Sequence, residues 1–220
     1  MFSTTTFVGL ANEMYNFENM LLKLLFTDPQ IFILLSFALI ISISIHEFSH
    51  AFMADKLGDS TARDMGRLTI NPKAHLDPMG TLLLVFIGFG WGKPVPFNPF
   101  NLKNPKRDAA LISLAGPVSN LLLATLLAFV LRVVPMGEMF SMFFYFLILY
   151  NLMLGFFNLI PLGPLDGNKI VFGFLPNKLA IQWAELQRYS MFMLIFLLLT
   201  NFTDKIIGPL VDFAIKILLG

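Results

Sequence analysis

The sequence predicts an all-α polytopic membrane protein of about five to six membrane segments, with a small re-entrant β element after the first core helix. Three observations predict it. Of 220 residues, 56% are hydrophobic and only 13% charged, about half the charged share of soluble domains. Mean hydropathy is +0.74, and the apolar residues fall into long runs bounded by charged or proline-rich stretches, as in helices that cross hydrocarbon. One apolar run, Met79 to Trp91, is too short to span as a helix and is rich in glycine. A net charge of +1 suggests no nucleic-acid partner. There is no cysteine, so disulfides and thiolate metal sites are excluded.

Residues 1–28 alternate Phe, Leu and Met with polar residues and read as an N-terminal interfacial segment. Met1 to Met20 lacks the basic and apolar regions of a signal peptide, so the first apolar helix is expected to direct insertion. Span one covers about 30–54 and is ended by Gly58-Asp59. Residues 55–78 are polar, and Pro72 and Pro78 argue against a continuous helix there. Gly80, Gly88, Gly90 and Gly92 give the next run its re-entrant, strand-like reading. A proline-rich piece follows over 93–99, where Asn98, Asn101 and Asn104 are expected to make turns.

Span two runs from about Ala109 to Val134, and span three from about Met139 to Ile160. Residues 168–188 are more polar, and 189–220 form C-terminal membrane helices broken at 201–205 and at Gly208-Pro209. The core then occupies 29–188. Trp91 and Trp183 are read as interfacial anchors. Eleven of the fifteen Lys and Arg lie in 55–78, 93–108 and 161–188. If 79–92 is re-entrant, those stretches lie on one side, and the positive-inside rule places them on the cytoplasmic face; if 79–92 spans, 55–78 and 93–108 face opposite sides.

The chemistry gathers at His46-Glu47-Phe48-Ser49-His50, an H-E-x-x-H pattern inside span one. On a helix, residues four apart share a face, so His46 and His50 can hold one zinc ion. Glu47 between them can act as general base toward water activated by that zinc. The uncharged residues Ile31 to Ile45 rise roughly 22 Å as a helix, most of the way across a hydrocarbon core of about 30 Å. Ionisable side chains there cost about 2.5–3.5 kcal/mol each on insertion scales, and are normally paired or functional. A metal carrier would need no base between its ligands, so Glu47 favours hydrolysis over transport. A pseudoenzyme scaffold is the third reading.

A catalytic zinc needs a third protein ligand and an open position. Spacing leaves His75, Asp77, Glu138, Asp166, Glu185, Asp204 and Asp212 as candidates. Asp166 has the best setting, directly after a span in a Pro-Gly-Pro-x-Asp-Gly-like segment that cannot stay regular helix. His75 is read either as a group near the metal or as an exposed loop histidine.

Three motifs together resemble the site-2 protease family of intramembrane zinc metalloproteases. They are HEFSH in the first span, Gly116-x-x-x-Asn120 in the second, and Asn158-x-x-Pro161-x-x-x-Leu165-Asp166-Gly167 after the third. The resemblance covers about residues 30–170. It implies one Zn2+ per chain held by His46, His50 and Asp166, with Glu47 as catalytic base. It places Asn120 near the substrate or the oxyanion, and makes 79–97 a membrane-embedded β element able to pair with substrate. It further implies cleavage of peptide bonds in or near transmembrane segments of membrane proteins. The bilayer, a transmembrane protein substrate and a prokaryotic inner membrane are the expected setting, with the active site toward the cytoplasm. No PDZ-like insertion separates the motifs, so a minimal-core member is expected.

Overall fold

The computed structural model describes residues 20–87, 92–200 and 202–220. Its elements are helices α1 (Met20–Thr27), α2 (Pro29–Lys56), α3 (Thr61–Asp64), α4 (Pro78–Ile87), α5 (Pro105–Val133), α6 (Glu138–Asn158), α7 (Asp166–Phe174), α8 (Asn177–Leu186), α9 (Ser190–Leu199) and α10 (Phe202–Leu219), with short 3-10 turns between them. Most of the segment expected at the interface over 1–28 lies outside the described residues; its last part is α1.

Local chemistry sets the helix ends. Asp28 opens α2 by accepting the Ile31 N–H at 3.2 Å, with Pro29 at the first helical position, where its missing N–H costs nothing. α2 stops after Lys56, and Gly58 turns the chain away at φ +107°, a conformation open to glycine. Pro105 opens α5 in the same manner.

Among the described residues, three helices are long and apolar enough to cross a membrane: α2, α5 and α6. This is a helical membrane protein; among the described residues these three helices, not five or six, have the length and composition of a span. α9 has ten residues, a rise of about 15 Å. α10 has eighteen, but four charged residues interrupt it.

The β expectation is also corrected. Residues 78–87 are helix, because Asp77 caps the Gly80 N–H at 2.8 Å and Pro78 starts the first turn. Only Gly80 interrupts this run, and the other glycines come later. Residues 88–91, Trp91 among them, lie outside the described residues. Beyond them 93–98 is neither helix nor ladder strand, and among the described residues one antiparallel bridge ties Gly92 back to Leu76.

The spans pack as one bundle. Leu35, Ala38 and Leu39 of α2 meet Ala124 and Ala128 of α5 and Tyr145, Phe146, Ile148 and Leu149 of α6, with Val211 of α10 closing one side. The alanines let the backbones approach closely, as membrane helices require. Ile33, Phe37, Leu122, Leu126, Phe129 and Phe140 point outward, a surface suited to lipid. The short helix α7 packs against α5, which brings the start of α7 back toward α2.

Candidate metal centre

His46 and His50 lie one turn apart on the buried face of α2. Their Nε2 atoms are 3.0 Å apart. Asp166, the first residue of α7, places Oδ2 at 3.1 Å from His46 Nε2 and 3.2 Å from His50 Nε2. The three atoms thus form a near-equilateral triangle. Ligands about 2.0–2.1 Å from a tetrahedral zinc lie roughly 3.3 Å from one another, so an ion fits with little adjustment. This is the cluster of His and carboxylate ligands that could hold a metal among the described residues. Of the other candidates, Asp77 caps α4, and Asp204 has a side chain outside the described set.

The other ring nitrogens decide the protonation. His46 Nδ1 sits 2.6 Å from Asn120 Oδ1. The Asn120 amide cannot be turned round, because its Nδ2 donates to the Ser42 carbonyl at 3.2 Å and to Asn151 Oδ1 at 2.6 Å. An oxygen accepts, so His46 carries its hydrogen on Nδ1. His50 Nδ1 likewise donates to the Ile112 carbonyl at 2.7 Å. With the rings neutral, both Nε2 atoms point bare lone pairs at the Asp166 carboxylate, and three acceptors this close repel unless a proton or a metal cation lies between. The donor set fits zinc: two imidazoles and a carboxylate, each imidazole braced through its second nitrogen.

The same bonds fix Asn120 in place. The residue is fully buried, and both its amide hydrogens are engaged. Asn151 was not anticipated. It donates to Ser42 Oγ at 2.8 Å and to the Leu147 carbonyl at 2.8 Å, completing a network across α2, α5 and α6. The signal was present: an amide in an uncharged span is a polar group that must find a partner.

Two glycines make room. A β-carbon on Gly116 would lie 2.5 Å from His50 Nε2 and 2.6 Å from His46 Cε1, so the imidazoles rest on bare α5 backbone. One on Gly167 would strike the carbonyl oxygens of Leu159 and Ile160. The tight turn that presents Asp166 thus requires the glycine after it.

Glu47 is half-buried, and its Oε2 accepts the Val95 N–H at 3.1 Å. His75 is neither exposed nor a ligand. It is fully buried, its Nε2 donates to the Thr69 carbonyl at 2.6 Å, and its own carbonyl accepts the Lys93 N–H at 2.7 Å. Asn98 makes its turn by accepting the Phe100 N–H. Trp183, half-buried, donates to Asn168 Oδ1 at 2.8 Å, just beyond Asp166.

Comparison with known proteins points the same way. The profile of peptidase family M50 matches residues 133–200, the stretch that contains Asp166. Among curated proteins, the chain is 39% identical over 183 residues to "Putative zinc metalloprotease YwhC" of Bacillus subtilis (strain 168), covering 79% of this chain and 84% of that one. It is 31% identical over 177 residues to "Putative zinc metalloprotease Rip2" of Mycolicibacterium smegmatis, covering 77% and 68%. It is 29% identical over 140 residues to "Zinc metalloprotease MJ0392" of Methanocaldococcus jannaschii, covering 64% and 34%. No solved structure matches it.

Proposed function

The chain belongs to peptidase family M50, the site-2 protease family of zinc metalloproteases, and from that premise we propose that it is an intramembrane endopeptidase. It hydrolyses peptide bonds in or near transmembrane segments of membrane proteins. One observation carries the reading. His46, His50 and Asp166 converge on a point inside a bundle of apolar helices, with Glu47 on the same helix between the two histidines.

In this reading His46, His50 and Asp166 hold the metal. When bound, zinc supplies a Lewis acid that polarises the scissile carbonyl and makes water a nucleophile at neutral pH. Glu47 takes the proton of the attacking water and returns it to the amide nitrogen as that bond breaks. Since Oε2 accepts from Val95, Oε1 is the atom that carries the proton. Asn120 and the Ile112 carbonyl orient the two imidazoles, so Asn120 acts through His46 and not on the oxyanion. A helical substrate hides its carbonyls in i to i−4 bonds and must unwind locally before attack. The basic stretches 55–78, 93–108 and 161–188 support a site that opens toward the cytoplasm of a prokaryotic cell.

The test measures zinc in detergent-purified protein and cleavage of single-span peptides in proteoliposomes. Wild type carries about one zinc per chain, lost in His46→Ala and in Asp166→Ala. Glu47→Gln keeps the zinc and loses cleavage. Full turnover by Glu47→Gln, or a folded wild type that binds no zinc, overturns the reading.

A further inference from the structure

We propose that Arg67 is a positioning residue for Glu47, acting through the peptide group between Pro94 and Val95. The inference rests on the reading of Glu47 as the base. It starts from an oddity: Arg67 is only 5% exposed, and among the described residues it forms no salt bridge. A buried charge without a carboxylate at contact distance is expensive, so its hydrogen bonds show what holds it there. Arg67 Nη2 donates to the Lys93 carbonyl and, at 3.3 Å, to the Pro94 carbonyl. Burial alone lowers the Arg67 pKa, and the charge of Glu47 opposes that, so the two groups share one electrostatic neighbourhood.

The geometry makes a relay. The Pro94 carbonyl and the Val95 N–H belong to one planar peptide unit. Holding the oxygen at one end aims the hydrogen at the other, and that hydrogen points at Glu47 Oε2 across 3.1 Å. The rest of the strip is fixed as well. Lys93 is held by its N–H on the His75 carbonyl at 2.7 Å and by its carbonyl on Arg67. Gly92 bridges to Leu76. Pro94 and Pro96 flank Val95 and have no N–H to offer, so within 94–96 the Val95 N–H is the donor available to the base. Arg67 is carried there by Gly66, whose φ of +68° turns the chain out of α3.

The experiment follows single-span peptide cleavage in proteoliposomes, with kcat and KM separated and zinc and Tm measured on each variant. Arg67→Met lowers kcat about 10–100-fold, the usual cost of removing a group that orients a reacting one. KM stays within about twofold, and zinc is retained. Arg67→Lys recovers part of the loss, since it keeps the charge but not the planar guanidinium whose Nη2 reaches both carbonyls. Val95→Pro deletes the N–H with Arg67 intact and lowers kcat to a similar extent. Combining it with Arg67→Met adds little, because both break one relay. Unchanged kcat in a folded Arg67→Met, or in Val95→Pro if Arg67→Met does not fold, overturns the inference. So does a double variant whose losses multiply, which marks Arg67 as a structural strap. Glu47→Gln, run alongside, separates the two levels: if it is inactive while Arg67→Met is unimpaired, the relay fails and the base assignment stands.

Discussion

His46 and Glu47 are adjacent in sequence, yet different parts of the molecule hold their side chains. His46 is fixed from within the bundle, by Asn120, which Ser42 and Asn151 fix in turn. Every member of that chain is buried, and it ties three spans together. Glu47 is held from outside the bundle, by a non-helical strip between α4 and α5. The strip hangs on loop anchors: Arg67, the His75 carbonyl and, at its far end, Asp59. The ligand side is thus set by helix packing, which is stiff and costly to disturb. The base side is set by loop hydrogen bonds, which lie among the more mobile parts of proteins. Metal binding and turnover should therefore respond to different substitutions.

The largest effect should come from the ligand side. Gly116→Ala puts a methyl group where the two imidazoles lie. Zinc affinity should fall about a hundredfold, at the upper end for disturbances around a site, by competition with a chromophoric chelator. Wild-type zinc binding in that variant would break the comparison, because the ligand side would then be compliant. Next comes Asn151→Leu, which leaves the Asn120 amide short of one acceptor and Ser42 Oγ short of one donor. About tenfold weaker zinc and a stability loss of roughly 1–3 kcal/mol are expected, with zinc titration and chemical denaturation as the checks. A loss of turnover with zinc affinity intact would assign Asn151 to the wrong side.

The smallest effect should be Asp59→Asn, on the base side. Burial would raise the Asp59 pKa. Hydrogen bonds from Thr61, from the Asn101 amide and from the Asn98 N–H outweigh that and hold it below its ordinary value. A carboxylate whose folded pKa is depressed stabilises the protein above its unfolded pKa, and this is lost as pH falls through the folded value. Asp59→Asn should therefore lower the melting temperature at pH 7, and the gap to wild type should close below about pH 4. Zinc affinity at pH 7 should not move. If it does, the two sides are coupled more tightly than their hydrogen bonds indicate.

The degree to which the sequence disclosed this arrangement follows the same division. His46, Glu47 and His50 are legible because helical spacing alone puts them together. Asp166 lies 120 residues from His46. Spacing leaves it among several carboxylates and His75, its setting directly after a span favours it, and the resemblance makes it a ligand. Gly116 and Asn120 were legible as a motif but not as a mechanism, since the direction of the Asn120 amide depends on Asn151, on a third helix. The base side was hardest. A backbone N–H at Val95 leaves no trace in residue identity, and His75 looked like a loop residue because its burial depends on how 92–95 folds back. The run 79–87 reads as strand-like only when its glycines are grouped with those that follow; only Gly80 falls within the helix that Asp77 and Pro78 begin.

The wide separation of the ligands along the chain also bears on when the enzyme becomes active during its own synthesis. A nascent chain whose first two spans have reached the bilayer carries both histidines, the glutamate and the Asn120 brace. It lacks Asp166, and the Asn120 amide lacks its partner on α6. Only after the third span has entered and the turn over 159–167 has closed can the three ligands meet. On the proposed function, the half-made molecule lacks its third ligand while it is still surrounded by the newly inserted segments of other proteins, the class of substrate proposed for it.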